Sequence, residues 1–351
     1  MNFDYTDDQR AIKSTANEFL ANRYKMEKVR ELAEAGEYDD ALWGEIAELG
    51  WPGIFVDEEH GGQGLGQVEL TILMEELGYA LAPAPFLSNA AAGLMLVHAG
   101  SDEQRQGWLP GIASSERRGT VGQVRAEGGG AEGGPPDAGV APLVPDADSA
   151  ELIVLLDNGS ASVVEAGDAQ IERADTIDST RRFFRVQADG GEPLEGDVDA
   201  AVARVEVALA AELVGVAQRA MEMAVDYAKE RKQFDRPIGA YQAVSHRCAQ
   251  MLLEVEGARA ATLYASWVAD HEPESLALAA SMAKAYAADA GWRVTASSLQ
   301  VHGGIGFTWE HDLHFFLKRA RTDGSLFGSP RTHRDRVAEL AGLSRSAAAA
   351  V

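Results

Sequence analysis

The chain has a single cysteine, Cys248, among 351 residues. No disulfide can close within it, which fits a reducing compartment. No apolar run approaches the roughly 20 residues that span a bilayer, so no membrane-crossing helix is expected. The opening stretch "MNFDYTDDQRAIKS" is acidic and lacks an apolar core, so it does not read as a signal peptide. A cytoplasmic protein is the expectation. Positive charge is scarce: 31 Lys and Arg stand against 55 Asp and Glu, a formal net charge of −24. Such a chain repels phosphate backbones at long range, which argues against nucleic acid as a partner. A small polyanion would need a local cluster of Arg or Lys. The eight histidines show no metal spacing such as HExxH and there are no cysteine pairs, so no metal site is expected. Cys248 lies two residues from His246, and such positions on a helix point apart, so a packed thiol is expected rather than a nucleophile pair.

Hydrophobic residues make up 46% of the chain, enough for a large core and two or three domains. Three textures follow one another. Residues 1–117 read as helical. Thr6 or Asp7 can cap a first helix, "DDALWGEIAELGW" reads as a second ending at Gly50, "QVELTILMEELGYAL" as a third, and Ser101 can cap a fourth. Residues 118–197 carry short β-like runs, "ELIVLLD", "ASVVEA" and "RFFRVQA". Among them the glycine- and proline-rich stretch Glu127 to Gly139 predicts little order. Residues 198–351 are helical again. The run "VDAAVARVEVALAAELVGVAQRAMEMAVDYAKERKQF" is apolar on more than one face, which predicts a buried helix. The expected fold is mainly α: an N-terminal helical domain, a small, reduced β domain and a C-terminal four-helix bundle. Alternating βα units are absent, which argues against a Rossmann sheet.

"HGGQGLG" (60–66) looks at first like a phosphate loop. It links two helical segments with no strand before it, so a plain glycine-rich turn is the better reading. Two other stretches carry more chemistry. In "AKERKQFDRPIGAYQAVSHRCAQM" (228–251), Arg231, Gln233 and Phe234 stand at a break between two helical runs. In "QVHGGIGFTWEHDL" (300–313), Gln300 offers a donor and an acceptor, while Gly303 and Gly304 let a backbone approach a ligand closely. A guanidinium that forks onto a pyrophosphate, an aromatic that covers a ring and a glycine turn together describe a site for an anionic, partly aromatic cofactor.

These stretches resemble the acyl-CoA dehydrogenase family, and the resemblance covers nearly the whole chain. "GWPGIFVDEEHGGQGLG" and "ELTILMEELGYALAPAPF" look like the family's first helical domain. "ERKQFDRPIGAYQA" is similar to its R-x-x-F-G-x-x-I-x-x-x-Q-A segment, and "QVHGGIGFTWEHDLHFFLKRAR" to its Q-x-x-G-G-x-G stretch. The resemblance implies FAD as cofactor, an acyl-CoA thioester as substrate and α,β-dehydrogenation as the reaction. It also implies that Arg231, Gln233, Phe234, Gln242, Gln300, Gly303 and Gly304 reach across a subunit interface to FAD held mainly by a neighbour.

Two departures qualify the implied role. The reaction needs a carboxylate at the substrate α-carbon, dry enough for a raised pKa. The usual base position in the segment "SLFGSPRTHR" is Phe327 here. A second subgroup places its base where this chain has Val205. Glu206 is next to it, but one residue turns a helical side chain by about 100°. Glu206 is thus a weak candidate base whose plainer reading is a helix-surface acid. Glu212 reads as a buried structural acid or a polar contact between subunits. The β domain also lacks the family's T-E-P-x-x-G-S-D and W-I-[TS]-N-G segments. The expected function is one subunit of an FAD-dependent acyl-CoA dehydrogenase, similar to the short subunits of hetero-oligomeric actinobacterial enzymes of the steroid side-chain type. Its partner would be a second acyl-CoA dehydrogenase-like subunit. The alternatives are a self-sufficient homo-oligomer using Glu206, or a non-catalytic binding protein on the same fold.

Overall fold

The computed structural model describes residues 4–124 and 139–343. Among them, six α-helices come first: α1 (Asp7–Arg23), α2 (Met26–Ala35), α3 (Asp40–Glu48), α4 (Gln67–Ala80), α5 (Phe86–Ala99) and α6 (Asp102–Ser114). Seven strands follow: β1 (Gly119–Gln123), β2 (Val140–Pro145), β3 (Leu152–Asp157), β4 (Ser160–Glu165), β5 (Gln170–Ala174), β6 (Phe183–Gln187) and β7 (Glu192–Pro193). The chain then continues through α7 (Val198–Glu230), the two-residue strands β8 (Lys232–Gln233) and β9 (Arg236–Pro237), α8 (Gln242–His271), α9 (Leu276–His302), α10 (Leu313–Asp323) and α11 (Pro330–Leu340). Two compact units result. One holds Met1–Met26, Thr71–Ala82 and Glu206–Val351; the other holds Glu27–Leu70 and Pro83–Val205. No described helix is long and apolar enough to cross a membrane.

In the second unit, local chemistry sets the helix ends. Ser101 Oγ accepts from Gln104 N at 3.2 Å while Gln104 Oε1 takes Ser101 N at 2.9 Å, a reciprocal cap worth about 1 kcal/mol. Helix α5 carries no helical signal in its sequence for a physical reason. Ten of its twelve residues from Phe86 to Val97 are apolar or glycine and nearly all are buried, so it shows no polar face to reveal a helical period. The glycine-rich turn at 60–66 is used up internally. The amides of Gln63, Gly64 and Leu65 donate to the carbonyls of Gly53, Val56 and Ile54, and a Cβ on Gly62 would lie 1.9 Å from Val56 O. It packs on its own backbone and offers no anion cradle. The strands form two small sheets, ordered β1-β3-β4-β7 and β2-β6-β5, in which only β1 and β3 run parallel. Ile153, Leu155, Val164, Phe184 and Val186 share one apolar core there. Asn158 and Gly159, at φ 47° and 84°, close the β3–β4 hairpin, the residues that such a turn favours. The stretch Glu127 to Gly139 lies outside the described residues apart from Gly139.

The first unit is built on α7, whose residues 207–217 are all buried. Gly78 and Gly215 let two helices cross at close range: a Cβ would lie 2.2 Å from Glu212 O at the former and 1.9 Å from Glu75 O at the latter. Helix α9 packs against α8, α10 and α11. Arg319 on α10 and Glu212 on α7 pair at 2.6 Å with both side chains almost wholly buried. Glu212 is therefore a structural acid inside one unit. Thr6 caps α1 through a second reciprocal box with Gln9, and Lys13 ties α1 to Glu75 and Glu76.

Candidate functional site

The break between the helical runs of 228–251 is a β-hairpin. Helix α7 ends at Glu230, and Arg231 is the first residue beyond it. Its carbonyl accepts from Ile238 N at 2.8 Å, which closes the base of the hairpin. Lys232 pairs with Pro237 and Gln233 with Arg236. Phe234 and Asp235 form the tip, both left-handed at φ 51° and 63°. The long helical run expected through Phe234 thus stops four residues earlier, because the backbone reverses at a tip no helix tolerates. Arg231, Lys232, Gln233 and Arg236 are all exposed, and Phe234 is 87% exposed. Among the described residues no carboxylate pairs with Arg231. In a chain of net charge −24 this hairpin is locally cationic, the condition a small polyanion requires. Gln242 follows as the exposed first residue of α8.

The second stretch meets the first at the same end of the bundle. Gln300 is exposed in the last turn of α9, and Gly303 ends that helix at φ 63°, ψ −139°, a conformation that favours glycine. A Cβ on Gly304 would meet nothing within 4 Å, so packing inside this chain does not demand a glycine there. Tyr227, one turn before Arg231, stacks on His302 with ring centroids 4.7 Å apart, and His302 meets His311 edge-on at 4.4 Å. His302 Nδ1 donates to Ser298 O at 2.8 Å, and burial holds its pKa below the ordinary histidine value. Ile238, Val244 and Cys248 pack on the same apolar cluster as Ala228, Met251 and Val301. The two stretches are therefore bound to one another by buried contacts, while their Arg231, Gln233, Phe234, Gln242 and Gln300 side chains project outward.

Phe327 sits elsewhere, in the turn between α10 and α11. It is 7% exposed and left-handed at φ 54°, followed by Gly328 at φ 110°. Titratable side chains hold this turn. Lys284, fully buried in mid-α9, places Nζ 3.3 Å from both Gly324 O and Gly328 O. His333 Nε2 donates to Phe327 O at 3.0 Å. Burial pulls the Lys284 ammonium down to about 8, against the opposing attraction of Glu206 and Asp323. Burial, and then the Lys284 charge, pull His333 down to about 4. Glu206 is 2% exposed, and Arg336 Nη1 donates to its Oε1 at 3.4 Å. Helix α7 runs without interruption from Val198, so nothing rotates Glu206 into the place of Val205, itself fully buried.

The acyl-CoA dehydrogenase N-terminal-domain family model matches residues 6–116, and the C-terminal-domain model matches residues 201–341. Acyl-CoA dehydrogenase IpdE2 of Mycobacterium tuberculosis is 32% identical over 327 residues, spanning 93% of this chain and 94% of the relative. The chain belongs to the acyl-CoA dehydrogenase family. It is an oxidoreductase of that type, from a family that generally binds FAD. Among solved structures similar to this acyl-CoA dehydrogenase is the ChsE4-ChsE5 complex of Mycobacterium tuberculosis, 25% identical with a TM-score of 0.87, covering 99% of this chain and 100% of that one. Another is the Tcur3481-Tcur3483 steroid ACAD G363A variant, 26% identical with a TM-score of 0.84, covering 96% and 98%.

The side chains and backbone at the hairpin end have the chemistry that an FAD contact would need. They combine an uncommitted guanidinium, an exposed aromatic and a glycine whose Cβ position is open. Several residues that shape these two turns carry little signal in the sequence. Tyr227, His302, Arg236 and Tyr241 at the hairpin end look like ordinary helix and loop residues until the chain folds. Lys284 carried a readable signal: it is the lone lysine in the alanine-rich run "LALAASMAKAYAADAGW", where a buried cation must find internal partners.

Proposed function

We propose that this chain is one subunit of an FAD-dependent acyl-CoA dehydrogenase that catalyses α,β-dehydrogenation of an acyl-CoA thioester. The observation that carries this reading is the contrast between its two turns. The end with Arg231, Phe234 and Gly304 faces outward, whereas the usual base position holds Phe327 in a buried turn. Arg231 binds the pyrophosphate of FAD held mainly by a second acyl-CoA dehydrogenase-like subunit. Phe234 covers a ring, and Gln233, Gln242, Gln300 and the Gly303–Gly304 backbone complete the contact. FAD supplies the hydride-accepting chemistry when bound. The partner supplies the base, because Phe327 has no proton to exchange and Glu206, one position from Val205 on an unbroken helix, is already paired with Arg336. The Tcur3481-Tcur3483 and ChsE4-ChsE5 pairs support a two-chain assembly, and the former a bulky, steroid-type acyl group.

The test is the flavin content of the chain purified alone and with its partner. Little flavin alone and a gain with the partner is the expected result. A stoichiometric flavin absorbance in the homogeneous protein, with turnover abolished by Glu206→Gln, would favour the self-sufficient enzyme instead.

A further inference from the structure

We infer that Tyr241 is the positioning residue of the 232–237 hairpin, the side chain that holds the Phe234–Asp235 tip in its left-handed shape. The hairpin needs such support. It has only two residue pairs, and one of its residues, Pro237, has no N–H to donate. Tight hairpins of this kind prefer Asn-Gly or Asp-Gly, yet the tip is Phe-Asp, with aspartate where the R-x-x-F-G pattern has glycine. Two adjacent non-glycine residues at positive φ persist only where surrounding contacts hold them.

Tyr241 makes three such contacts. Its hydroxyl donates to Gln233 O at 3.2 Å. The Arg236 guanidinium lies over its ring, 4.0 Å from the centroid. The Phe234 ring meets it edge-on at 6.5 Å. The backbone of Tyr241 is meanwhile fixed at the start of α8: its carbonyl accepts from Val244 N and Ser245 N, and its N–H donates to Ile238 O. Ile238 N–H closes the base of the hairpin on Arg231. Tyr241 braces the tip from the side, and so ties Gln233 and Phe234 to the helix whose first residue is Gln242. Its role in cofactor affinity rests on the proposed cross-subunit contact with FAD; its role in hairpin shape does not.

Limited trypsin digestion of the full chain tests the shape. The Arg231–Lys232 and Lys232–Gln233 bonds are cleavable, and local opening governs their rate. Tyr241→Ala should speed cleavage at these two bonds by about tenfold and leave the melting temperature and other cleavage sites near wild type. Tyr241→Phe loses only the hydroxyl donor and should cut about two- to threefold faster, which carries the test if the alanine variant folds poorly. Adding Asp235→Gly to Tyr241→Ala should slow cleavage again, because glycine accepts positive φ without strain. Wild-type rates at both bonds in both single variants would overturn the proposal. FAD titration of the co-purified complex is the second arm. A tighter-folding hairpin rescued by Asp235→Gly should bind FAD better than Tyr241→Ala alone. Faster cleavage with unchanged FAD affinity would leave the bracing role standing and reject the cofactor contact.

Discussion

At the 232–237 hairpin the cations face out, and at the 324–328 turn the cation faces in. Both turns contain a phenylalanine at positive φ, a conformation that costs energy in any bulky residue. Phe234 is almost fully exposed and Phe327 almost fully buried. Around Phe327 the chain satisfies itself: Lys284 and His333 supply the donors for three carbonyls of the turn and its surroundings. Around Phe234 it does not, since the Arg231 guanidinium and the space beside Gly304 find no use within the described residues. A polar group spent internally supports a scaffold, whereas one left at the surface with an aromatic beside it is available to a partner.

The comparison breaks most visibly if an internal cation is removed. Arg319→Met would remove the buried cation that pairs with Glu212 at 2.6 Å, and losing one member of such a pair costs about 3–5 kcal/mol. Urea denaturation should show that loss, with FAD affinity reduced only as far as folding is. Arg231→Lys is the outward counterpart. An ammonium cannot reproduce two parallel hydrogen bonds, and a charged hydrogen bond contributes about 1.5–3 kcal/mol, so FAD affinity of the reconstituted complex should fall roughly tenfold to a hundredfold with stability unchanged. Equal affinity would reduce Arg231 to a helix-end cation.

Lys284 sharpens the contrast through pH. Its pKa is about 8 in the folded chain against 10.5 for a free lysine. Between those values the unfolded chain holds a proton that the folded chain has released, so this group makes stability rise with pH by up to roughly 1.4 kcal/mol per pH unit. Below pH 8 both states are protonated and the contribution is flat. Denaturation midpoints of wild type and Lys284→Met from pH 7 to 10 should diverge only above about pH 8, the wild type gaining relative to the variant. Parallel curves would remove the buried-ammonium account. The smallest effect belongs to Gly304→Ala. With nothing within 4 Å of the new Cβ, stability should change by no more than about 0.5 kcal/mol. FAD affinity should still fall if the backbone there is approached from outside, and an unaffected affinity would confine the contact to Arg231 and Phe234.

Much of this was legible in the chain as written. The caps at Thr6 and Ser101, the buried length of α7 and the runs that became β3, β4 and β6 all follow from local rules: a hydroxyl beside free amides, apolar residues on every face, β-branched residues between turn signals. The motifs of 228–251 and 300–313 carried the family resemblance, because glycine, arginine and glutamine at fixed spacings have few other reasons to coincide. Helix α5 was not legible, since a helix buried on all sides shows no period. The hairpin at 232–237 was not either, because its tip lacks the Asn-Gly that would have announced it.

By itself, then, the sequence determined most of the element types and the family pattern. Tertiary structure alone decided what each was used for. Position along the chain does not say whether a cation is met by a carbonyl from another helix, as Lys284 is, or left at a surface, as Arg231 is. It does not say that Glu206 faces Arg336, or that Tyr241 reaches back to brace a strained tip. Those outcomes depend on contacts between residues distant in sequence, and such contacts exist only once the helices have packed.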